Sequence, residues 1–460
     1  MEVAGAVART DAAGGLLDPL LRQVLDGALV EGSGDEVVIV DPTTSEVLAR
    51  GPVAGVREVD LAVKTARRAQ DRLWGRVAGL VRTRHMLALA RLVADHADEM
   101  AALEALDTGT PLRQVHERGI STAQAHLLHH AGWADKLVHA GLGAPTDGGN
   151  PRPAGVSLHL FGRAASLSDV VRTVAPALGT GCTVVVAAPE TTPLATLALG
   201  RLALQAGLPP GVLTVLAVNS STWPRLIGRD AFDVVTSTGS ASAAATAQRA
   251  LVGTATRLHT DVRGDQVVIA LGEDDPTRNA AVAHAVSGLC THGRRLAGAL
   301  RLLVPAPDLD ATLDQLRTRL AALVVGDPLA PTTDVGPLAD LALLDDAALT
   351  AAPRSWTAVT PIPSTGSFLA PSFVAPCLVA DADGTTTGRA PGPVLLVDGY
   401  VDLEHLRRLV GGDRHATLRL MSADPASAQA LGTSLRGRTT VGTDHCPEPG
   451  LIRPTGYLGG

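Results

Sequence analysis

Several residue types that mark particular classes of protein are scarce in this chain. Lysine occurs only at Lys64 and Lys136, and aromatic residues make up 2% of the 460 residues. No basic cluster is interleaved with aromatic residues, so the sequence gives little support to nucleic-acid binding. The four cysteines lie far apart, without the spacing of a metal site or the density of a disulfide framework. We therefore expect no nucleic-acid partner, no bound metal, and a reducing, cytoplasmic location.

Long apolar runs are also lacking. No run approaches the ~20 residues that a membrane-spanning helix needs, and the first nine residues lack a basic region followed by an apolar core. The composition is that of a globular protein, with 46% hydrophobic residues, 18% charged residues and a net charge of -7. The length exceeds one ordinary core, which predicts two or three lobes and no membrane segment.

Short apolar strands alternate with helices through most of the chain. Helical spacing of apolar residues predicts three helices, at about 59–74, 82–106 and 117–139. Strands alternating with helices then predict a parallel, doubly wound sheet, the architecture of a dinucleotide-binding lobe. The strands predicted for that sheet cover residues 156–161, 183–187, 212–217 and 233–236. A second set of strands and helices begins near residue 257, whereas the small, Gly-rich residues 1–34 are expected to be partly mobile.

Several segments resemble the aldehyde dehydrogenase family. Asp41-Pro-Thr-Thr-Ser-Glu-Val-Leu is similar to the family's opening motif, and Ala131-Gly-Trp-Ala-Asp-Lys is similar to one of its helices. Ala206-Gly-Leu-Pro-Pro-Gly-Val-Leu is similar to the family's turn before a strand. The resemblance extends from about Asp41 to Gly456, nearly the whole chain.

This resemblance implies an aldehyde dehydrogenase-like α/β fold in three parts. A doubly wound, Rossmann-type cofactor lobe would comprise residues 1–140 and 158–256. A catalytic-type α/β lobe would comprise residues 257–440. Residues 141–157 and 441–460 would form a small bridging or oligomerisation element, which is shorter at its carboxyl end than in relatives.

The family's catalytic side chains are replaced at the corresponding positions. The family attacks an aldehyde with a cysteine thiolate, holds the oxyanion with an asparagine amide, and activates water with a glutamate. Setting Gly293 and Arg301 on the family's glycine and arginine places Leu296 at the thiol position. The asparagine position holds Ala164, and the glutamate position holds Asp261, a carboxylate one methylene shorter. Leucine has no lone pair with which to attack a carbonyl, so the family reaction is not expected here.

The cofactor positions are similarly altered. Ala187 stands where the family has the lysine that bonds the adenosine ribose, and Arg389 stands where it has the glutamate that bonds the nicotinamide ribose. Trp223 and Pro224 follow the next strand in place of a glycine-bearing turn, and we expect them to obstruct a phosphate. Gly239 and Ser240 open a helix as in the family's Thr-Gly-Ser segment, whose serine and helix N-terminus meet the pyrophosphate. We expect no cofactor, with NAD(P) as the alternative.

Two other thiols and one histidine pair are further candidates. Cys290 lies six residues before Leu296, which on a helix is about 240° away. Cys446 follows a histidine in a loop that, by resemblance, lies near the substrate entrance, so it is an alternative nucleophile. A buried or incidental thiol is the competing interpretation of both. His126 and His130 share one helical face, but no third metal ligand is evident.

These observations leave three functions open. The main prediction is a catalytically inactive protein of the aldehyde dehydrogenase fold, acting as a structural, regulatory or partner subunit. Its partner would be an active aldehyde dehydrogenase in a hetero-oligomer, or a second copy in a homodimer. The first alternative is an NAD(P)-dependent aldehyde oxidoreductase with an atypical site that uses Asp261 or Cys446. The second is a nucleotide- or metabolite-binding module.

Overall fold

The computed structural model divides the chain into two compact units. Unit 1 comprises Met1–Asp261 and Leu451–Gly460, and unit 2 comprises Val262–Gly450. The three-part division given above stays a prediction. The structure describes residues 9–137, 152–162, 165–189, 191–228, 231–262, 264–272, 274–292, 300–338, 357–358, 377–380, 394–411, 415–435, 437–442 and 458–459.

Unit 1 is organised around one large sheet. The first ten strands of the chain are β1 Arg22–Leu25, β2 Ala28–Glu31, β3 Glu36–Val40, β4 Val47–Pro52, β5 Arg152–Pro153, β6 Val156–Phe161, β7 Thr183–Ala188, β8 Leu213–Ala217, β9 Val234–Gly239 and β10 Arg257–Val262. Seven of them form a sheet in the order β10-β9-β6-β7-β8-β1-β2. Strands β3 and β4 pair with each other, and β5 pairs with the short strand Leu458–Gly459.

The strands of this sheet are connected by helices. The α-helices of unit 1 are α1 Val56–Ala69, α2 Gly79–Asp95, α3 Ala97–Thr108, α4 Ser121–Trp133, α5 Leu167–Thr180, α6 Leu194–Gln205, α7 Trp223–Ile227 and α8 Ala241–Ala250. A π-helical turn, Gln70–Trp74, extends α1, and the segment before α4 consists of the short helix Leu112–Gln114 and a π-helical turn, Val115–Ile120.

The middle strands confirm the predicted doubly wound sheet. Strand β6 runs parallel to β7 and β9, and β7 runs parallel to β8. Every residue of β6, β7 and β8 is buried. Helices cover both faces of such a sheet, and this burial explains why the strands occur in the sequence as continuous apolar runs.

The amino-terminal region differs from its prediction. Strands β1 and β2 form a hairpin, and β1 joins the large sheet by pairing antiparallel with β8. The hairpin turns at Asp26 and Gly27, whose φ angles of 48° and 81° are those of a type I′ turn. The buried side chain of Gln23 then donates to Pro52 O and accepts from Ala217 N. Residues 22–31 are therefore part of the sheet.

The second predicted helix is two helices. The helical run stops at Asp95, His96 adopts φ -107° and ψ 26°, and a new helix begins at Ala97. The ring of His96 contacts Glu99 Oε2 at 2.7 Å, a local interaction at the new amino terminus. The apolar spacing continues across this break, so the sequence pattern does not reveal it.

Unit 2 contains a second mostly parallel sheet. Its strands are β11 Gln266–Leu271, β12 Leu300–Pro305, β13 Thr357–Ala358, β14 Cys377–Ala380, β15 Val394–Tyr400, β16 Thr417–Ser422 and β17 Arg438–Gly442. Their order is β13-β14-β15-β12-β11-β16-β17, and among these described strands β13 alone is antiparallel to its neighbour. The helices of this unit are α9 Asp275–His292, α10 Leu309–Ala321, α11 Leu403–Val410 and α12 Pro425–Ser434.

One buried arginine of α2 joins the carboxyl ends of several helices in unit 1. Arg82 is 9% exposed and donates to Gly179 O at 3.1 Å, Val77 O at 2.7 Å and Ala134 O at 3.4 Å. Gly179 belongs to the last turn of α5, and Ala134 follows the end of α4. Burial lowers the pKa of the Arg82 guanidinium. The carbonyls of Gly179 and Ala134 carry the negative ends of helix dipoles and, with that of Val77, offset the cost of burying its charge.

Replacing Arg82 with methionine should therefore destabilise unit 1. Three carbonyls, in two buried hydrogen bonds and one partly buried one, would lose their donor. We expect a loss of about 2–4 kcal/mol in the free energy of unfolding, measured by urea denaturation. Arg91→Met is the matched control, because that arginine lies on the same helix with its side chain 83% exposed. Equal destabilisation by the two variants would contradict the role assigned to Arg82.

Three buried histidines make the stability of unit 1 sensitive to acid. Burial lowers the pKa of His126 to about 4, and the pKa values of His130 and His159 to about 3. His159 contacts the hydroxyl oxygens of Thr173 and Ser157 at 3.0 and 3.1 Å. The three rings are therefore neutral in the fold at neutral pH.

The free energy of unfolding should fall as the pH is lowered from about 6.5 toward 4. An unfolded histidine binds a proton near pH 6.5, whereas the folded one does not, so protonation favours the unfolded chain. Each histidine contributes about 1.4 kcal/mol per pH unit in this window. His130→Gln should reduce the slope of the pH dependence, measured by denaturant unfolding. A slope identical to that of the wild type would show that His130 is charged in the fold.

Candidate functional site

The chain reverses direction across the large sheet between β6 and β9. From β6 the chain proceeds to β7 and β8 on one side, and then returns to place β9 on the opposite side of β6. Such a switch point opens a crevice at the carboxyl ends of the two strands, which is where ligands bind in open α/β sheets. Gly162 follows β6 and Ser240 follows β9, so these residues mark the crevice.

The backbones of the two loops lie unusually close together there. Gly162 N donates to Thr238 O at 3.0 Å. Gly239 has φ +144°, and a Cβ added to it would lie 3.4 Å from the Cα and N atoms of Gly162. Glycine adopts this conformation without strain, whereas other residues rarely do. The crevice therefore presents bare backbone on both sides.

Two of the helices that start at this edge have their amino termini filled by side chains of α3. Glu104 Oε2 accepts from Leu167 N at 3.1 Å, at the first residue of α5. Asp107 Oδ2 accepts from Leu194 N at 2.8 Å, at the first residue of α6. Burial raises the pKa of Asp107 well above its usual value, although the backbone N–H groups of α6 oppose this shift. Both helices thus have an internal acceptor where an anion would otherwise bind.

The amino terminus of α8 is different. Its N-cap Ser240 accepts from Ala243 N at 3.2 Å and exchanges a hydrogen bond with Ser242 Oγ. Ser240 is partly exposed and Ala241 is exposed. Among the hydrogen bonds of the described residues, none brings a carboxylate to this terminus. Helix α8 can therefore receive an anion at the switch point.

Two of the positions at which this chain is predicted to differ from the family lie inside the core. Ala187 is 1% exposed in β7 and belongs to the same apolar cluster as Trp223, which is 6% exposed. The indole of Trp223 is therefore part of the core, and the obstruction of a phosphate by Trp223 and Pro224 stays a prediction. Pro224 is exposed at the start of α7. A methyl group at position 187 offers no hydrogen bond to a ribose.

Asp261 forms an ion pair with an arginine of α5. Its Oδ2 atom contacts Arg172 Nη2, with 17% of the Asp261 side chain and 12% of the Arg172 side chain exposed. Both residues belong to unit 1. The carboxylate predicted for the general-base position is thus held by a cation of its own unit.

In unit 2, the arginine used to align the thiol segment has a structural role. Arg301 in β12 donates to Asp398 Oδ2 in β15 at 2.7 Å and to Leu409 O in α11 at 2.6 Å. Cys290, near the end of α9, is 7% exposed and packs with Val325 and Val335. Apolar burial disfavours the thiolate form, so this position does not favour a nucleophile.

Four predicted site residues lie outside the described residues: Ala164, Leu296, Arg389 and Cys446. Among those described, no group of three or more His, Cys, Asp or Glu side chains could hold a metal ion. The rings of His126 and His130 are stacked, with centroids 6.5 Å apart. Searching the same residues reveals no helix long and apolar enough to cross a membrane.

Comparison with known proteins agrees with this architecture. The profile described as the aldehyde dehydrogenase family matches residues 29–406. This chain belongs to the aldehyde dehydrogenase family. Aldehyde dehydrogenase 1 of Tanacetum cinerariifolium is 32% identical over 320 residues, which cover 68% of this chain and 64% of that protein. Betaine aldehyde dehydrogenase of Vibrio vulnificus (strain CMCP6) is 27% identical over 416 residues, which cover 88% and 81% of the two chains.

A solved structure shows the same fold. The crystal structure of betaine aldehyde dehydrogenase from Staphylococcus aureus in complex with NAD+ has a TM-score of 0.84 and 22% identity, covering 98% of this chain and 96% of that one. The alignments with the first three curated relatives span 60–64% of those proteins, less than two thirds of their length.

These comparisons confirm the predicted family and fold, but not every prediction about function. The relatives are named as dehydrogenases, so the comparisons give no support to catalytic inactivity. The expectation that no cofactor binds also lacks support, since the Staphylococcus aureus relative was solved with NAD+.

The sequence analysis missed three residues that shape the site. Glu104 and Asp107 are three residues apart on a helix, and both are buried. Arg172 is the positively charged residue of α5, whose other residues are mostly apolar. Carboxylates or an arginine on an apolar helix face require buried partners, and that pattern was the available signal.

Proposed function

We propose that the chain is an NAD(P)-dependent aldehyde oxidoreductase with an atypical site. The observation that carries this proposal is the open amino terminus of α8, which stands at the switch point beside Gly162 and Gly239. Backbone N–H groups and a helix dipole are the features that bind a pyrophosphate. When bound, the nicotinamide would accept a hydride from the substrate.

The described residues fit the pyrophosphate better than the ribose of this cofactor. Gly239 lets the backbone approach the phosphates, and Ser240 adds a hydroxyl at the first turn of α8. Ala187 supplies none of the ribose hydrogen bonds that the family's lysine makes. Because each hydrogen bond is worth about 0.5–1.5 kcal/mol, its loss weakens binding without abolishing it.

Ser240→Asp should weaken binding of NAD+ and NADP+ at least about tenfold. Aspartate is as good an N-cap as serine, so α8 keeps its cap, but the added charge repels the pyrophosphate. Isothermal titration calorimetry with each dinucleotide measures the change. Gln248→Glu is the matched control, because it adds the same charge to an exposed position two turns along the same helix. Equal affinity in Ser240→Asp and the wild type would place the dinucleotide elsewhere.

The thiol of this enzyme is proposed to be Cys446 and not Cys290. Cys290 packs between valines with 7% exposure, whereas Cys446 directly follows His445 in the sequence. A neighbouring histidine can lower the pKa of a thiol and so activate it.

Purified protein should reduce NAD+ or NADP+ in the presence of an aldehyde panel, followed by absorbance of the reduced nicotinamide. Cys446→Ala should lower the rate by a factor of about 10² or more, because the covalent route is lost. Cys290→Ala should leave the rate within about twofold. Loss of turnover in Cys290→Ala alone would reverse the assignment of the two thiols.

A second candidate function is that of an inactive subunit. It is favoured by Ala187 at the family's lysine position and by Leu296 at the family's thiol position. In that case the protein would bind an active aldehyde dehydrogenase or a second copy of itself. The same assay separates the candidates: no turnover with any aldehyde, together with a dehydrogenase co-purifying from the native host, favours the subunit. Dinucleotide binding without turnover and without a partner favours a nucleotide-binding module.

A further inference from the structure

Arg172 has an unusual place in unit 1. Every other residue of α5 is buried, and the helix packs with its apolar side chains between the sheet and its helical neighbours. An arginine in such a helix costs free energy unless its charge is paired. Its guanidinium meets Asp261 at the end of β10, 89 residues away in sequence.

The nearest acid of the same helix has another function. Asp169 Oδ2 accepts from Ser166 N at 3.1 Å and from Ser166 Oγ at 2.8 Å, closing the capping box of α5. Asp169 is therefore committed to its own helix terminus. Asp261 is the carboxylate that the Arg172 guanidinium contacts across the fold.

Other titratable groups of this region come from three neighbouring elements. His126 on α4 lies within the field of both Arg172 and Asp169, and burial keeps its pKa at about 4. His159 on β6 lies within the field of His259, which is on the same strand as Asp261. At neutral pH His126 and His159 carry no charge, so the cation that acts on Asp261 from α5 is Arg172.

We propose that Arg172 is a positioning residue that holds Asp261 as an ionised carboxylate turned toward α5. This inference rests on the proposed oxidoreductase function, in which Asp261 takes the position of the family's water-activating glutamate. A base one methylene shorter than glutamate has less reach, and a fixed cation determines where its oxygens lie. A guanidinium in contact with a carboxylate also favours the charged form of that carboxylate.

The first test needs no activity. Arg172→Gln, Asp261→Asn and the double variant form a double-mutant cycle, read by denaturant unfolding of the full chain at pH 7 and at pH 3. We expect a stabilising coupling at pH 7 that is no larger at pH 3, because acid weakens pairs between a carboxylate and a guanidinium. No coupling at pH 7 would overturn the proposal, whether or not the protein turns over aldehydes.

The second test is the pH profile of kcat/KM. Arg172→Gln should move the acid limb to higher pH by about one unit, so that at pH values well below the limb the rate is up to about tenfold lower than in the wild type. Arg172→Lys keeps the positive charge and should return the acid limb of the kcat/KM profile most of the way to its wild-type position. Arg68→Gln is the control, since it breaks an exposed ion pair with Asp26 elsewhere in the unit.

The two tests fail separately. Coupling in the cycle without any turnover would refute the oxidoreductase function while leaving Asp261 held by Arg172. The other contrary result is turnover of aldehydes with the same acid limb of the kcat/KM profile in Arg172→Gln and the wild type. That result would overturn the positioning role even if the ion pair stabilises the fold.

Discussion

In unit 1, carbonyl groups at the carboxyl ends of α4 and α5 accept hydrogen bonds from the guanidinium of Arg82. It binds Gly179 O at the end of α5, Ala134 O after α4, and Val77 O at the start of its own segment. Trp74 Nε1 adds a bond to Leu178 O, so two donors from one stretch of chain hold the last turn of α5. Fixing that end of α5 fixes its other end, because a helix is a rigid rod over this length.

The amino end of α5 lies at the functional edge of the sheet. There Glu104 binds Leu167 N, and Asp107 binds the first residue of α6 in the same way. One helix, α3, thus supplies the acceptors for two others. The consequence for function is selective: α5 and α6 are closed to external anions, while α8 begins with a serine and exposed backbone. The crevice between β6 and β9 therefore has one open helix terminus of these three.

Much of the fold could be predicted from the sequence, since parallel strands buried on both faces must be short apolar runs. The hairpin of β1 and β2 was missed because its signal, Asp26-Gly27 between apolar pairs, lies in a region dominated by small residues. The break at His96 was missed because α2 and α3 bury similar side chains. Of the candidate site, the sequence predicted that Gly239 and Ser240 open a helix and that Ala187 lies in a strand, and both are confirmed. The ion pair of Arg172 with Asp261 could not, because pairing across 89 residues is a property of the folded chain.

The predicted replacements of family side chains would have unequal consequences for the two halves of the chemistry. Pyrophosphate binding relies on backbone N–H groups and a helix dipole, which do not depend on side-chain identity, so Ala187 leaves it possible. Covalent catalysis relies on one side chain, and no backbone group can replace a thiol. Arg301 gives the register of β12 through its contacts with Asp398 and Leu409. That structural role would be the same in an active and an inactive protein. The match of Arg301 to the family's arginine, which places Leu296 at the thiol position, therefore does not decide whether the protein is active. The decision rests on whether a thiol from another part of the sequence reaches the substrate.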